Sequence, residues 1–96
     1  MRPRVIEING YRMDMVPAGN MVLIHNTDLP GMIGLVGQEF GRAKINIANM
    51  AISRRDHAAL MLLRVDAEPP GELLERLLGR PGINKIAVVR LPQEKQ

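Results

Sequence analysis

Apolar and polar positions along the chain change spacing several times, and each change marks an element. NMVLIH at 20–25 is a short apolar run and reads as a strand. In the stretch 30–43, Met32, Ile33, Val36 and Phe40 fall on one helical stripe, with Pro30 suited to a first helical position and Asp28 or Thr27 placed to cap the free amides. INIANMAIS at 45–53 reads as a second strand, residues 54–57 as a turn and AALMLLRVD at 58–66 as a third strand, so that the short connection makes a hairpin. Residues 71–78 repeat the helical spacing through Leu73, Leu74, Leu77 and Leu78. Glu72 and Glu75 come early and Arg76 and Arg80 late, as the helix dipole favours, and Gly79 and Pro81 end the helix. INKIAVVRL at 83–91 is the last strand.

The order from residue 20 is β-α-β-β-α-β, the split βαβ or ferredoxin-like arrangement. The predicted class is α+β, with two helices on one face of a four-stranded antiparallel sheet. Residues 1–19 stand apart. VIEI and RMDMV flank Asn9-Gly10, a pair that suits a two-residue type I′ turn, so a β-hairpin is expected at about 4–8 and 11–16 before Pro17-Ala18-Gly19 breaks the chain. An isolated hairpin is marginal in water and needs something to lean on. The strands ALMLL and IAVV are apolar at both parities, whereas a water-facing sheet surface alternates. The second face is therefore expected to be covered, by the hairpin or by a partner subunit.

Composition narrows this further. Ninety-six residues suit one domain, and 46% apolar content supports a folded core. Aromatic residues are limited to Tyr11 and Phe40, so the core must be aliphatic and rich in methionine. Without cysteine there is no disulfide framework, thiolate metal site or thiol nucleophile. No apolar run approaches the ~20 residues of a membrane helix, and the N-terminus lacks a signal-peptide core, which together predict a cytoplasmic chain with no membrane partner. The formal net charge is +3, but its basic residues are dispersed, with no run longer than Arg54-Arg55. Nucleic acid is not an expected partner, because the strands also lack the aromatics on which an RNA-recognition sheet stacks bases.

Four glycines, Gly31, Gly34, Gly37 and Gly41, lie at spacings of three, three and four in the first helical stretch. Each interior glycine costs roughly 0.8–1 kcal/mol against alanine. The stripe implies either close approach by another backbone or ligand, or tight helix–sheet packing within the domain. It is not a dinucleotide loop, since G-x-x-G-x-x-G lacks the G-x-G-x-x-G spacing that brings backbone to a pyrophosphate. His25, His57, Asp28, Asp56 and Asp66 form no metal-binding spacing, so no catalytic residue, metal site or cofactor is expected in this chain.

What remains is the corner IHNTDLPGMIG. A helix start there offers backbone amides at Gly31, Met32 and Ile33 to a carboxylate. Asn26 and Asp28 stand beside it, Asp28 can accept from an ammonium group, and Asn46 begins the neighbouring strand and could reach the same space. A small amino acid carries the matching groups. Capping of the helix by Asp28 explains the same residues.

NTDLPGMIG followed by KINIANM resembles the ACT domain, a regulatory amino-acid-binding module. More closely, D-x-P-G-x-I-G-x-V-G, then N-I-A-x-M, then A-L-M-x-L-x-x-D, is similar to the C-terminal region of the D-3-phosphoglycerate dehydrogenase family across residues 20–91. The resemblance implies an ACT domain at 20–96, and residues 1–19 look like the hairpin end of a preceding intervening domain. It implies that L-serine or another small amino acid binds across a side-by-side homo-oligomeric pair, at Asn26, Asp28, Pro30, Gly31, Met32 and Ile33 of one subunit and Asn46 of the other. It also implies feedback control in serine biosynthesis, with NAD bound by a dehydrogenase domain outside these residues. Arg54-Arg55-Asp56-His57-Ala58 departs from the R-x-x-x-G-G of that family. A purely structural pairing module and the similar ACT module of iron–sulfur L-serine dehydratase are the alternatives.

Overall fold

The computed structural model describes residues 5–16 and 18–92. Its strands are β1 (Val5–Ile8), β2 (Tyr11–Asp14), β3 (Gly19–Thr27), β4 (Ile47–Arg55), β5 (Ala58–Val65) and β6 (Ile83–Leu91), and its helices are α1 (Met32–Arg42) and α2 (Gly71–Leu78). The strands β4-β5-β3-β6 form one antiparallel sheet in that order, and β1-β2 form a separate hairpin. This is the ferredoxin-like arrangement expected from the pattern.

Alternation within the sheet assigns its two faces. Val22 and Ile24 of β3 and Met61, Leu63 and Val65 of β5 join Val36 and Phe40 of α1 and Leu73 and Leu77 of α2 in the main core. The opposite parity, Met21 of β3 with Leu60 and Leu62 of β5, meets Met13 and Met15 in a second apolar cluster. The hairpin segment therefore covers the back of the sheet, which explains why β5 is apolar at both parities. Asn9 and Gly10 take φ of 51° and 83°, the positive pair required by a type I′ turn. Asn9 Nδ2 lies 3.1 Å from His25 Nε2, to which it donates, and the Arg55 guanidinium sits 5.9 Å from the Tyr11 ring centroid. The hairpin tip is thereby fixed over the end of β3.

The first helix is shorter than its stripe suggested. Gly31 adopts φ 86°, ψ −1° as the residue before the helix, so the helix begins at Met32 and Pro30 is not in its first turn. No side chain caps it, which corrects the expected capping by Asp28 or Thr27. At the other end Lys44 takes φ 61°, its N–H donates to the Gly41 carbonyl (3.0 Å), and the Ile45 N–H donates to that of Phe40 (3.0 Å). This is a Schellman closure, and Ile45 and Phe40 are both core residues. The glycine stripe also resolves. A Cβ added at Gly34, Gly37 or Gly41 would meet nothing within 4 Å, so tight helix–sheet packing does not account for it. In α2, Leu73 and Leu77 are buried, but Leu78 is 48% exposed and does not belong to the inward face. Gly79 closes the helix with an ordinary φ of −80°.

A buried carboxylate joins the helices. Glu39 is 1% exposed, accepting from Arg76 Nε at 2.8 Å and Arg80 Nη1 at 2.9 Å. The Arg76 hydrogen bond holds its carboxyl below the ordinary value of 4.5; burial opposes this, and the charges of Arg42, Arg76 and Arg80 add to it. A carboxyl depressed in the folded state stabilises the fold above its unfolded pKa, and that stability is lost as pH falls through the folded value. The thermal midpoint should be flat above pH about 5 and fall below pH 4.5. Glu39→Gln should be less stable at pH 7 and show a shallower acid fall, measured by circular dichroism melts across pH 3–7. An unchanged acid slope would assign the acid sensitivity to other carboxylates.

Candidate functional site

The site forms where β3 ends and α1 begins. On the β6 side the register slips between His25 and Asn26, so Asn26 pairs with Ile83 while His25 pairs with Lys85. Gly82 fixes the neighbouring turn at φ 93°, and its carbonyl accepts from the Thr27 N–H at 2.8 Å. A Cβ there would lie 3.0 Å from Met32 Sδ and 3.2 Å from Leu29 Cδ1, so a side chain at 82 would push on both. The Asp28 N–H donates to the His57 carbonyl at 2.8 Å, which ties the loop to the β4–β5 turn.

These constraints leave a cavity of about 380 Å³ under the start of α1. Asn26, Asp28, Leu29 and Pro30 form one wall, and Gly31 to Gly34 form the roof. Ile52 and Arg54 of β4 and Ala59 and Met61 of β5 form the floor and the outer side. Six of the seven residues singled out by sequence, Asn26, Asp28, Pro30, Gly31, Met32 and Ile33, therefore line one space. Asn46 does not. Its exposed side chain precedes Ile47, which pairs with Val65, while Arg54 pairs with Ala59. Within its own chain Asn46 is thus a strand length away, roughly 25 Å at ~3.3 Å per residue. Its backbone N–H donates to Asp66 Oδ1 at 3.0 Å and its carbonyl accepts from Asp66 at 3.1 Å. The antiparallel course of β4 keeps a chain's own Asn46 away from its Asp28 corner, which leaves its expected role as the contribution of the other subunit.

Polar groups in the cavity have distinct states. Asp28 Oδ1 accepts from Arg54 Nε at 3.1 Å, in a pair open to solvent. Arg54 was legible only as a turn residue, 26 positions away, and no local signal connects it to Asp28. Asn26 is 2% exposed; its Nδ2 donates to the Thr27 carbonyl at 2.9 Å and its Oδ1 has no partner. The uncapped helix start leaves first-turn N–H groups facing the same space, with the positive end of the helix dipole behind them. The cavity thus offers a carboxylate, a guanidinium and an amide cluster, set among Met32, Ile33, Ile52 and Met61, with the buried Asn26 in its wall. Such a set can hold a small zwitterion; among the described residues it contains no cluster of His, Asp and Glu suited to a metal.

The family model for the ACT domain matches residues 20–82. The chain is 35% identical over 92 residues to D-3-phosphoglycerate dehydrogenase of Methanocaldococcus jannaschii, covering 94% of this chain and 18% of that protein. It is 35% identical over 91 residues to the Bacillus subtilis enzyme of the same name, covering 93% and 17%, and 39% identical over 92 residues to that of Archaeoglobus fulgidus, covering 92% and 18%. The chain thus spans less than a fifth of the length of these relatives. With its β-α-β-β-α-β sheet and the matched stretch running from β3 into the turn before β6, this chain belongs to the ACT domain family.

Proposed function

We propose that this chain is the regulatory module of a D-3-phosphoglycerate dehydrogenase, and that its cavity binds a small amino acid, L-serine in the first place, between two copies of the domain. NAD and the chemistry belong to a dehydrogenase domain outside these residues. The observation that carries the reading is the convergence of Asp28, Arg54 and the uncapped start of α1 on one cavity, with Asn26 in its wall. Asp28 takes the ammonium and the α1 amides take the carboxylate.

The position of Asn46 supports the pairing. Strand β4 is an edge of the sheet with Ile52 and Arg54 at the cavity. Two identical edge strands related by a two-fold axis run antiparallel, so the start of one faces the end of the other. Pairing through the middle of β4 carries the partner's Asn46 toward Arg54 and the cavity. The open glycine side of α1 leaves room for a second helix to approach. The ligand then touches both subunits, and it controls a distant site only through differential affinity for two subunit arrangements.

Calorimetric titration with L-serine should give a saturable heat, and Asp28→Ala should weaken binding by about 10- to 100-fold, the range for losing a hydrogen bond to a charged group. Absence of heat and of any thermal shift with every amino acid tested would overturn the reading. A ligand-free pairing module is the second reading, favoured by Leu29 and Ile33, which are 46% and 47% exposed at the cavity mouth. A dimer in light scattering that no amino acid alters would support it.

A further inference from the structure

Three guanidiniums gather on one buried carboxylate. Arg76 Nε donates to Glu39 Oε1 at 2.8 Å, Arg80 Nη1 donates to Oε2 at 2.9 Å, and Arg42 Nη1 stands 3.9 Å from Oε2. Glu39 is ionised near neutral pH, because its carboxyl is held below the ordinary value. A single cation would neutralise it. Three cations against one anion leave a surplus of two positive charges, and like charges this close repel one another. Glu72 lies one turn before Arg76 on α2, yet it pairs with none of the three among the described residues.

The surplus is open to water. The side chains of Arg42, Arg76 and Arg80 are 61%, 34% and 42% exposed. Arg76 uses only Nε on Glu39; its Nη1 and Nη2 bond nothing among the described residues and are not buried. Glu39, fixed where α1 packs on α2, therefore holds two flexible side chains in place with donors to spare. We propose that Arg42, Arg76 and Arg80, held over the Glu39 carboxylate, form a binding site for a phosphoryl dianion. A double negative charge cancels the surplus, and a tetrahedral oxyanion accepts from more than one guanidinium at once. A carboxylate monoanion leaves one positive charge uncompensated. The site is separate from the cavity at the start of α1, since Glu39 lies about two turns beyond Met32, roughly 10 Å along the helix axis. It does not depend on the amino-acid reading of that cavity.

The test is titration of the chain with inorganic phosphate, sulfate and acetate at fixed ionic strength, read by thermal midpoint and by the arginine Nε–H resonances in NMR. Phosphate at pH 8 should bind saturably and at least about tenfold more tightly than acetate, the scale of one further hydrogen bond to a charged group. At pH 5.5, below the second pKa of a phosphoryl group near ~6, phosphate should weaken several-fold while sulfate, still doubly charged, holds its affinity. Arg80→Gln should weaken phosphate by about tenfold. Arg42→Gln, which leaves both Glu39 hydrogen bonds in place, should weaken it by a few-fold, so the outcome does not hang on a variant that fails to fold. Phosphate no tighter than acetate, or an affinity untouched by both substitutions, overturns the site and leaves a structural ion cluster. Loss of phosphate binding in Arg54→Gln but not in Arg42→Gln places the anion at the start of α1 and overturns it equally.

Discussion

Phe40→Ala should lower the thermal midpoint of this chain by on the order of 20 °C. Phe40 is the sole phenylalanine, is fully buried, and packs where α1 meets the sheet and where Ile45 closes the helix. Truncating a buried phenylalanine costs about 3–5 kcal/mol, and for a domain of this size each kcal/mol is worth roughly 4–8 °C. The other members of that core are aliphatic apart from Met32 and Met61, whose flexible side chains can partly refill the space. They pull the cost toward the lower end of the range without abolishing it. Ile33→Ala, on the same helix but 47% exposed, should change the midpoint by no more than about 2–4 °C, since surface substitutions fall within about 0.5 kcal/mol. Similar midpoints for the two variants, measured by circular dichroism, would place the energetic centre of the domain elsewhere.

Met13→Asp should lift the hairpin from the sheet. Met13 and Met15 are both 4% exposed, against Met21, Leu60 and Leu62. Burying a methionine side chain is worth about 1.5–3 kcal/mol, so the two together contribute roughly 3–6 kcal/mol to docking. An unpaired carboxylate in that layer is more costly than releasing the layer to water. The front core between sheet and helices shares no buried residue with this one, so the helical circular dichroism signal should survive. Hydrogen exchange in β1 and β2 should rise to that of an exposed segment, and an apolar dye should bind the bared back of β3 and β5. Unchanged exchange in the hairpin would mean that the Asn9–His25 and Tyr11–Arg55 contacts hold it without its methionines.

Periodicity carried most of the fold because its elements obey local rules. The leucines of α2, the Asn9-Gly10 turn and the two-sided apolar character of β5 each state their environment within a few residues. Features set by pairs distant in sequence were not legible. No local signal marks Glu39 as buried, because the arginines that enclose it, Arg76 and Arg80, lie 37 and 41 positions on. Pro30 has the properties of a first helical residue, but Gly31 takes a left-handed conformation that delays the helix by two positions. In the cavity, the loop Asn26–Ile33 was readable because its members are neighbours in the chain. Arg54 and the floor residues Ile52 and Met61 were not, since their inclusion depends on how β4 and β5 register against β3. The end of the sheet that Asn46 occupies was not legible for the same reason: proximity in sequence to a strand start gives no information about which end of the sheet that start occupies.

The single tyrosine has a practical consequence. Tyr11 is in the hairpin, with the Arg55 guanidinium over its ring, and the chain has no tryptophan. Intrinsic emission excited near 280 nm therefore comes from that one ring, half-buried between hairpin and sheet. The protein carries an unlabelled optical probe of hairpin docking, and its signal separates release of the back layer from unfolding of the front core in a single melt.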